Sequence, residues 1–268
     1  MSKPGSPMAV PATWDLVTEA YTQHVAPVFE GYAREAMRLA AMPPAAEVLD
    51  VAAGPGTLAL LAAEQGHAVT AIDFSRNMID RLKASATSKK LRVDAKVGDG
   101  QALEVPGDKF HAAFSMFGLI FFPSRARGFQ ELYRVVRPSG KVVVASWTPM
   151  EKLPFMSAVF GSLAELVPNM PPPPHVLDTT EACLTEMGTA GFSDVRVEQA
   201  TFALEAPSLA EYWKWFPASF APLAALSKQL GVDYPRVMEK LYARVHERLG
   251  PGPIKVEMPA FLTVGTKT

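Results

Sequence analysis

The 268-residue chain is 49% apolar and carries a formal net charge of −1. That is enough for one large core, or a core with an inserted cap, and the near-neutral balance gives no long-range pull toward nucleic acid or an anionic membrane. No apolar run approaches the roughly 20 residues that cross a bilayer. The opening MSKPGSPMAVPATW reads as a tail without a signal-peptide apolar region, and a single cysteine, Cys183, excludes an intrachain disulfide. Both suit a cytoplasmic setting. The five histidines show no HxH or HxxxH spacing, so no metal site is expected.

In chain order, Trp14 to Leu39 is helical in pattern. The expected strands are Glu47 to Ala52, Ala68 to Asp73, Arg92 to Val97, Ala112 to Met116, Lys141 to Trp147, Asp194 to Phe202 and Ala260 to Thr266. Helices are expected at Thr57 to Gln65, Ser75 to Ala86 and Ser124 to Val136, with another starting at the capping box of Asp178 and stopping at Gly191. Alternating strand and helix predict a doubly wound α/β sheet. Two insertions stand outside this alternation, one following the fifth strand and one following the sixth. In the second, Leu209, Trp213, Phe216 and Phe220 recur at helical spacing that Pro217 and Pro222 must break, and Val237, Leu241, Val245 and Leu249 stripe a later helix. The expected organisation is therefore a tail and helical lid (1–42), a core (43–148), a cap insertion (149–177), a continuation of the core (178–206), a second helical cap insertion (207–254) and a final core strand (255–268).

The stretch from Val48 to Leu61, VLDVAAGPGTLALL, breaks a β-branched run at a small-residue turn and resumes as a helix; Asp73 then closes the next apolar run. This order builds a nucleotide-ligand site at the carboxyl edge of a parallel sheet. A pyrophosphate wants bare N–H donors at the helix start. Here Asp50 adds negative charge and Pro55 removes a donor. An acidic strand end and a donor-poor turn suit a ligand with positive charge near the loop, and S-adenosylmethionine carries an ammonium and a sulfonium.

These residues resemble the class I S-adenosylmethionine-dependent methyltransferases, in their small-molecule UbiE/methyltransferase type 11 branch. The resemblance runs continuously from Glu47 to Trp147. Asp50-Val51-Ala52-Ala53-Gly54-Pro55-Gly56 is similar to the family's D-x-G-x-G-x-G loop, Asp73 to its acidic second-strand end, and Val97-Gly98-Asp99-Gly100-Gln101 to its third-strand end. Ala52 departs from the pattern, replacing the first glycine, and is expected to keep φ negative and shift the loop slightly. The resemblance implies a Rossmann-like seven-stranded sheet in the order three-two-one-four-five-seven-six, with strand seven antiparallel. It also implies S-adenosylmethionine held by Tyr21, Asp50, Ala52, Ala53, Gly54, Gly56, Asp73, Phe74, Met78, Asp99, Gly100, Gln101 and Met116. Within that set Asp73 would hold the ribose, Asp99 the adenine amine, and Tyr21 would lie over the cofactor.

Phe117, Phe155, Met156, Phe160, Trp213 and Phe216 are candidates for an apolar or aromatic acceptor pocket, and cap core is the competing reading for the insertion residues. His24 and His175 are the candidate proton acceptors near the mouth. The expected activity is methyl transfer to an oxygen, nitrogen or carbon of a small molecule by a monomer or homodimer. Two alternatives stay open: an NAD(P)-dependent oxidoreductase, disfavoured because no Tyr-x-x-x-Lys spacing occurs, and a noncatalytic S-adenosylmethionine-binding protein.

Overall fold

The computed structural model describes residues 6–168, 170, 176–250 and 252–268. Seven strands form one sheet: β1 (Glu47–Val51), β2 (Ala68–Asp73), β3 (Val93–Val97), β4 (Phe110–Met116), β5 (Val136–Trp147), β6 (Ser193–Ala206) and β7 (Ile254–Thr266). Their order is β3-β2-β1-β4-β5-β7-β6, and β7 runs antiparallel to both its neighbours. Residues 48–51 of β1 are all buried, as a parallel strand covered on both faces must be. At the edge, β3 turns charged residues outward, and Asp94 and Lys96 pair across 2.7 Å.

Twelve α-helices complete the described residues. Helices α1 (Pro11–Asp15), α2 (Thr18–Ala20) and α3 (Ala26–Ala40) precede the sheet; α4 (Thr57–Glu64), α5 (Arg76–Ser88) and α6 (Arg125–Val135) connect its strands. In the first insertion lies α7 (Pro154–Leu166), and α8 (Thr180–Thr189) leads into β6. The second insertion holds α9 (Leu209–Trp213), α10 (Phe216–Ser219), α11 (Ala221–Leu230) and α12 (Tyr234–Leu249).

Four expectations about the elements need correction. The single helix expected from Trp14 to Leu39 is broken, and Tyr21–Val25 forms a π-helical turn closed by Ala26 N–H donating to the Tyr21 carbonyl. Pro27, in the first turn of α3, has no N–H to continue a regular ladder and disfavours helical geometry before it. Helix α8 is capped by Thr179, which accepts from Ala182 N–H at 3.1 Å, one residue later than expected. Strand β5 starts at Val136, paired with Phe110, and regains its register at Lys141 after a turn in which Ser139 has φ 65°.

The largest difference is in β6 and β7. Their pairing continues through Phe202↔Met258 to Ala206↔Ile254, whereas β5 stops pairing with β7 at Trp147↔Ala260. Pro259 sits at that limit, where a missing N–H is tolerated. The two strands thus leave the sheet as a ribbon, and α9 to α12 lie between its ends. These helices and α7 share one apolar cluster that includes Val159, Leu163, Leu209, Leu241 and Val245. Glu165 of α7 ties α12 to it through Arg244 and Arg248.

The N-terminal segment joins core to cap. Val17 is fully buried with Met78 of α5 and with Ala221 and Ala224 of α11, and Trp14 packs against this group. Asp15 anchors the strap by accepting from Ser75 Oγ at 2.6 Å, at the start of α5.

Candidate functional site

At the carboxyl ends of β1, β2 and β4, beneath the strap and the second insertion, lies a cavity of about 400 Å³. This is the position at which open α/β sheets place ligands, and the size is that of a small-molecule pocket. Tyr21, Ala52, Gly54, Asp73, Phe74 and Met78 line it, as do Asp99, Gly100, Gln101, Met116, Phe117 and Phe216. The structure brings these twelve sequence-predicted residues to one surface.

The polar end is organised by Asp73. Its Oδ2 accepts from Gly54 N–H and its Oδ1 from Ser75 N–H, both at 2.8 Å, so the carboxylate fixes the β1–α4 turn to the end of β2 and keeps accepting capacity on both oxygens. Burial pushes its pKa up to about 6, the Ser75 and Gly54 hydrogen bonds pull it down, and nearby Asp15 raises it. Gly54 has φ 55°, and a Cβ there would meet no atom within 4 Å. A side chain at Gly54 would occupy open space at a cavity-lining position, so the vacancy is a cradle rather than a packing need. Asp99 accepts from Gln101 N–H at 2.8 Å, and Gln101 Oε1 accepts from Ser124 N–H at 2.8 Å, which orders the β3 loop along the same end.

Ala52 does not keep φ negative. It has φ 58°, a left-handed conformation that costs an L-residue about 1–2 kcal/mol. Gly118 accommodates it, since a Cβ on Gly118 would lie 2.2 Å from the Ala52 Cβ. The bulky Phe117 is also held at φ 62°, with its N–H donating to the Ala145 carbonyl at 3.2 Å and its ring stacked on Trp147 at 4.1 Å. Two strained residues on one rim are the pattern found where backbone geometry serves a site.

Three candidate cofactor residues do not line the cavity. Asp50 is 1% exposed and turned beneath the loop, accepting from Ala59 N–H at 3.1 Å at the start of α4. Burial pushes its pKa up to about 7, eased by that hydrogen bond and raised further by Asp73. Ala53 packs in the main core. Gly56 serves helix packing, because a Cβ on it would stand 2.1 Å from Leu82 Cδ1.

The acceptor-side candidates divide. Phe117 and Phe216 line the cavity, whereas Phe155, Phe160 and Trp213 do not. Phe155 is 5% exposed, with its ring edge-on to Tyr212 and Phe216. Phe160 packs on Phe220, and Trp213 lies between Phe216 and Tyr242, joining α9 to α12. These three are cap core. The candidate Met156 also lines the apolar end, joined by Tyr212, Phe29, Trp147, Leu204 and Met258. Tyr212 could have been found by taking Leu209, Tyr212 and Phe216 as the buried stripe; α9 ends at Trp213, so a single helical phase through Phe220 is not available. Trp147 had a signal too, as the last residue of a strand at the ligand edge.

His24 is outside the cavity lining and stacks on Trp215 at 4.8 Å, joining the strap to the cap. His175 lies outside the described residues, as do the four prolines before it. His67 and His111 are half-buried on the opposite edge of the sheet. Their Nδ1 atoms accept from Ala46 and Glu47 N–H, and burial keeps both imidazoles below the ordinary range. Among the described residues, no group of three or more His, Cys, Asp or Glu could hold a metal ion, and no helix is long and apolar enough to cross a membrane.

A sheet of this order, with a glycine turn answering to a strand-end aspartate, defines a class I methyltransferase-type fold. A methyltransferase domain model matches residues 48–140. A demethylmenaquinone methyltransferase of Thermus thermophilus is 31% identical over 189 residues, covering 65% of this chain and 86% of that protein. An uncharacterised protein of Mycobacterium tuberculosis is 33% identical over 162 residues, 57% of each chain. This chain therefore spans little over half the length of such mycobacterial relatives. Among solved structures, phosphoethanolamine N-methyltransferase 2 of Haemonchus contortus in complex with S-adenosyl-L-methionine shares the fold, with TM-score 0.58 at 16% identity, covering 94% of this chain and 57% of that one. The chain belongs to the class I S-adenosylmethionine-dependent methyltransferases, in the UbiE-like group.

Proposed function

We propose that this chain transfers a methyl group from S-adenosylmethionine to an oxygen, nitrogen or carbon of a small apolar or aromatic acceptor. One observation carries the reading: a single cavity joins a carboxylate-and-glycine end to an end walled by aromatic and Met side chains. The polar end fits the cofactor on its own chemistry. Asp73 would accept the ribose hydroxyls while still holding the turn, and the open space at Gly54 would admit the methionine portion. Phe74 and Met78 would pack the adenine, with Asp99, Gly100 and Gln101 along its edge, and Tyr21 would cover it from the strap. The methyltransferase relative and the solved complex with S-adenosyl-L-methionine are in keeping with the same cofactor.

Bound there, S-adenosylmethionine supplies an electrophilic methyl on a positively charged sulfur. The protein's part is alignment and exclusion of water. The strap of α1 and α2 and the cap helices α7 and α9 to α12 would cover both ligands, with Phe117, Trp147 and Phe216 setting the acceptor's plane. No His, Lys or Arg is among the described residues lining the cavity. An acceptor whose nucleophile needs no strong base suits that lining, while His24 stacks on Trp215 and Asp50 holds the start of α4.

The test is transfer of tritiated methyl from S-adenosylmethionine to a panel of naphthols, quinols and alkylamines. Acceptor-dependent formation of S-adenosylhomocysteine with the ring compounds is expected. A cofactor that binds but gives no turnover with any acceptor class would favour the noncatalytic reading.

A further inference from the structure

Three tyrosines stand at or beside the cavity. The Tyr32 hydroxyl donates to the Met258 carbonyl and lies 3.4 Å from Phe202 N–H, which donates to it. Tyr21 lines the cavity, and burial together with the Asp73 charge raises its pKa. Tyr212 shares with Tyr21 a place on the lining and a hydroxyl without a hydrogen bond among the described residues, but it faces no charged group and stands at the apolar end. It is 1% exposed, lines the cavity, and sits in the apolar cap cluster among the rings of Phe155, Trp215 and Phe216.

No hydrogen bond to the Tyr212 hydroxyl occurs among the described residues. A buried phenol almost always finds a partner, because an unmet hydroxyl costs about 1–3 kcal/mol. Among the described residues the sealed, unpartnered side-chain polar atoms are Arg81 Nε, Ser115 Oγ and Ser162 Oγ, and the Tyr212 oxygen is not one of them. It therefore keeps a little open space beside it, in a residue whose surroundings are otherwise closed and which borders the cavity. Ser219, the other hydroxyl at this end, is already committed, donating to the Phe216 carbonyl at 3.0 Å.

Resting on the methyltransferase reading above, we propose that Tyr212 is the positioning residue of the acceptor end. Its hydroxyl donates a hydrogen bond to an oxygen of an otherwise apolar, uncharged ring compound and so fixes which atom faces the methyl donor. Burial raises the Tyr212 pKa further above the physiological range, so the phenol stays protonated and acts as a donor, not a base. With no Lys, Arg or His among the described lining residues and Asp73 and Asp99 at the far end, carboxylate- or phosphate-bearing acceptors are disfavoured.

The experiment uses the full chain saturated with S-adenosylhomocysteine and two probes of similar shape, 1-naphthol and 1-methylnaphthalene. Binding is read by quenching of tryptophan fluorescence in the unaltered protein and in Tyr212→Phe. The unaltered protein should prefer 1-naphthol by about fivefold to tenfold, the worth of one hydrogen bond. Tyr212→Phe should erase that preference, keep 1-methylnaphthalene affinity and S-adenosylhomocysteine affinity within twofold, and melt no lower, since an unmet hydroxyl has been removed. Failure of 1-naphthol to bind, or a preference that survives Tyr212→Phe, overturns the proposal while leaving the cofactor reading intact. Loss of S-adenosylhomocysteine binding by the unaltered protein would instead overturn the methyltransferase reading on which it rests. A variant that weakens both probes equally and lowers the melting temperature would make Tyr212 a packing residue only.

Discussion

The two ends of the cavity are made from different materials. At the Asp73 end the surface is backbone and carboxylate: Gly54 N–H, Ser75 N–H and the β3 loop, held by hydrogen bonds of 2.8 Å. At the cap end it is side chain, with Phe117, Trp147, Tyr212 and Phe216 drawn from elements far apart in sequence. A backbone site depends on a few conformations that only certain residues permit. A side-chain site depends on packing, and many apolar residues can supply it. The cofactor end should therefore be intolerant of single changes and the acceptor end tunable.

The strongest way to break that contrast is Gly54→Val. The branched side chain would fill the open cradle and take a left-handed φ, so S-adenosylmethionine binding should fall by more than a thousandfold. The protein should still unfold cooperatively, because nothing packs against that position. Titration calorimetry beside a thermal melt checks both halves; retained affinity would place the ligand elsewhere.

Next in size is Asp73→Ala. Charge-assisted hydrogen bonds are worth about 1.5–3 kcal/mol each, and competition from water leaves an expected loss on the order of a hundredfold in S-adenosylmethionine affinity. Because Asp73 also accepts from Gly54 and Ser75, the comparison needs Asp73→Asn, which keeps the shape and one accepting oxygen; its loss should be smaller. Equal affinities across the three proteins would remove Asp73 from the ribose.

The smallest effect sharpens the contrast through pH. With its pKa pushed up to about 6, Asp73 is mostly ionised at pH 8 and about one-tenth ionised at pH 5. The ionised form binds a cationic ligand and accepts hydroxyls, so the S-adenosylmethionine dissociation constant should rise about tenfold from pH 8 to pH 5. The ligand-free fold responds with the opposite sign. Asp50 and Asp73 have pKa values raised above those of the unfolded chain, so their contribution to stability is full below about pH 4 and is lost as pH rises through 6 to 7. At the cap end no His, Asp or Glu is among the described lining residues, so 1-naphthol binding to the loaded protein should stay flat.

The same contrast explains what could be read in the sequence. The β1 turn, Asp73 and the β3 loop lie within about fifty residues, and each needs particular residue types, so local pattern placed them in the cavity. The sheet order came from the resemblance, since spacing does not determine how β6 and β7 cross. Ala52 was misjudged because its left-handed φ depends on Gly118, a partner distant in sequence that leaves room for its Cβ. The cap was legible as helices but not as a surface. Trp213 and Phe155 resemble pocket residues by type, whereas in α9 it is Leu209 and Tyr212 that are buried, and Trp213 packs against Tyr242 of α12. Likewise β6 and β7 ran longer than their apolar patterns, because their outer residues pair as a ribbon that needs no third strand.

The central claim is that this cavity takes S-adenosylmethionine at its Asp73 end, and the most direct measurement is calorimetric titration of the unaltered full chain with S-adenosylhomocysteine, S-adenosylmethionine and NADH in turn. The account predicts one S-adenosylhomocysteine per chain, displaced competitively by S-adenosylmethionine and unaffected by NADH. Absence of S-adenosylhomocysteine binding, or its displacement by NADH, would contradict it.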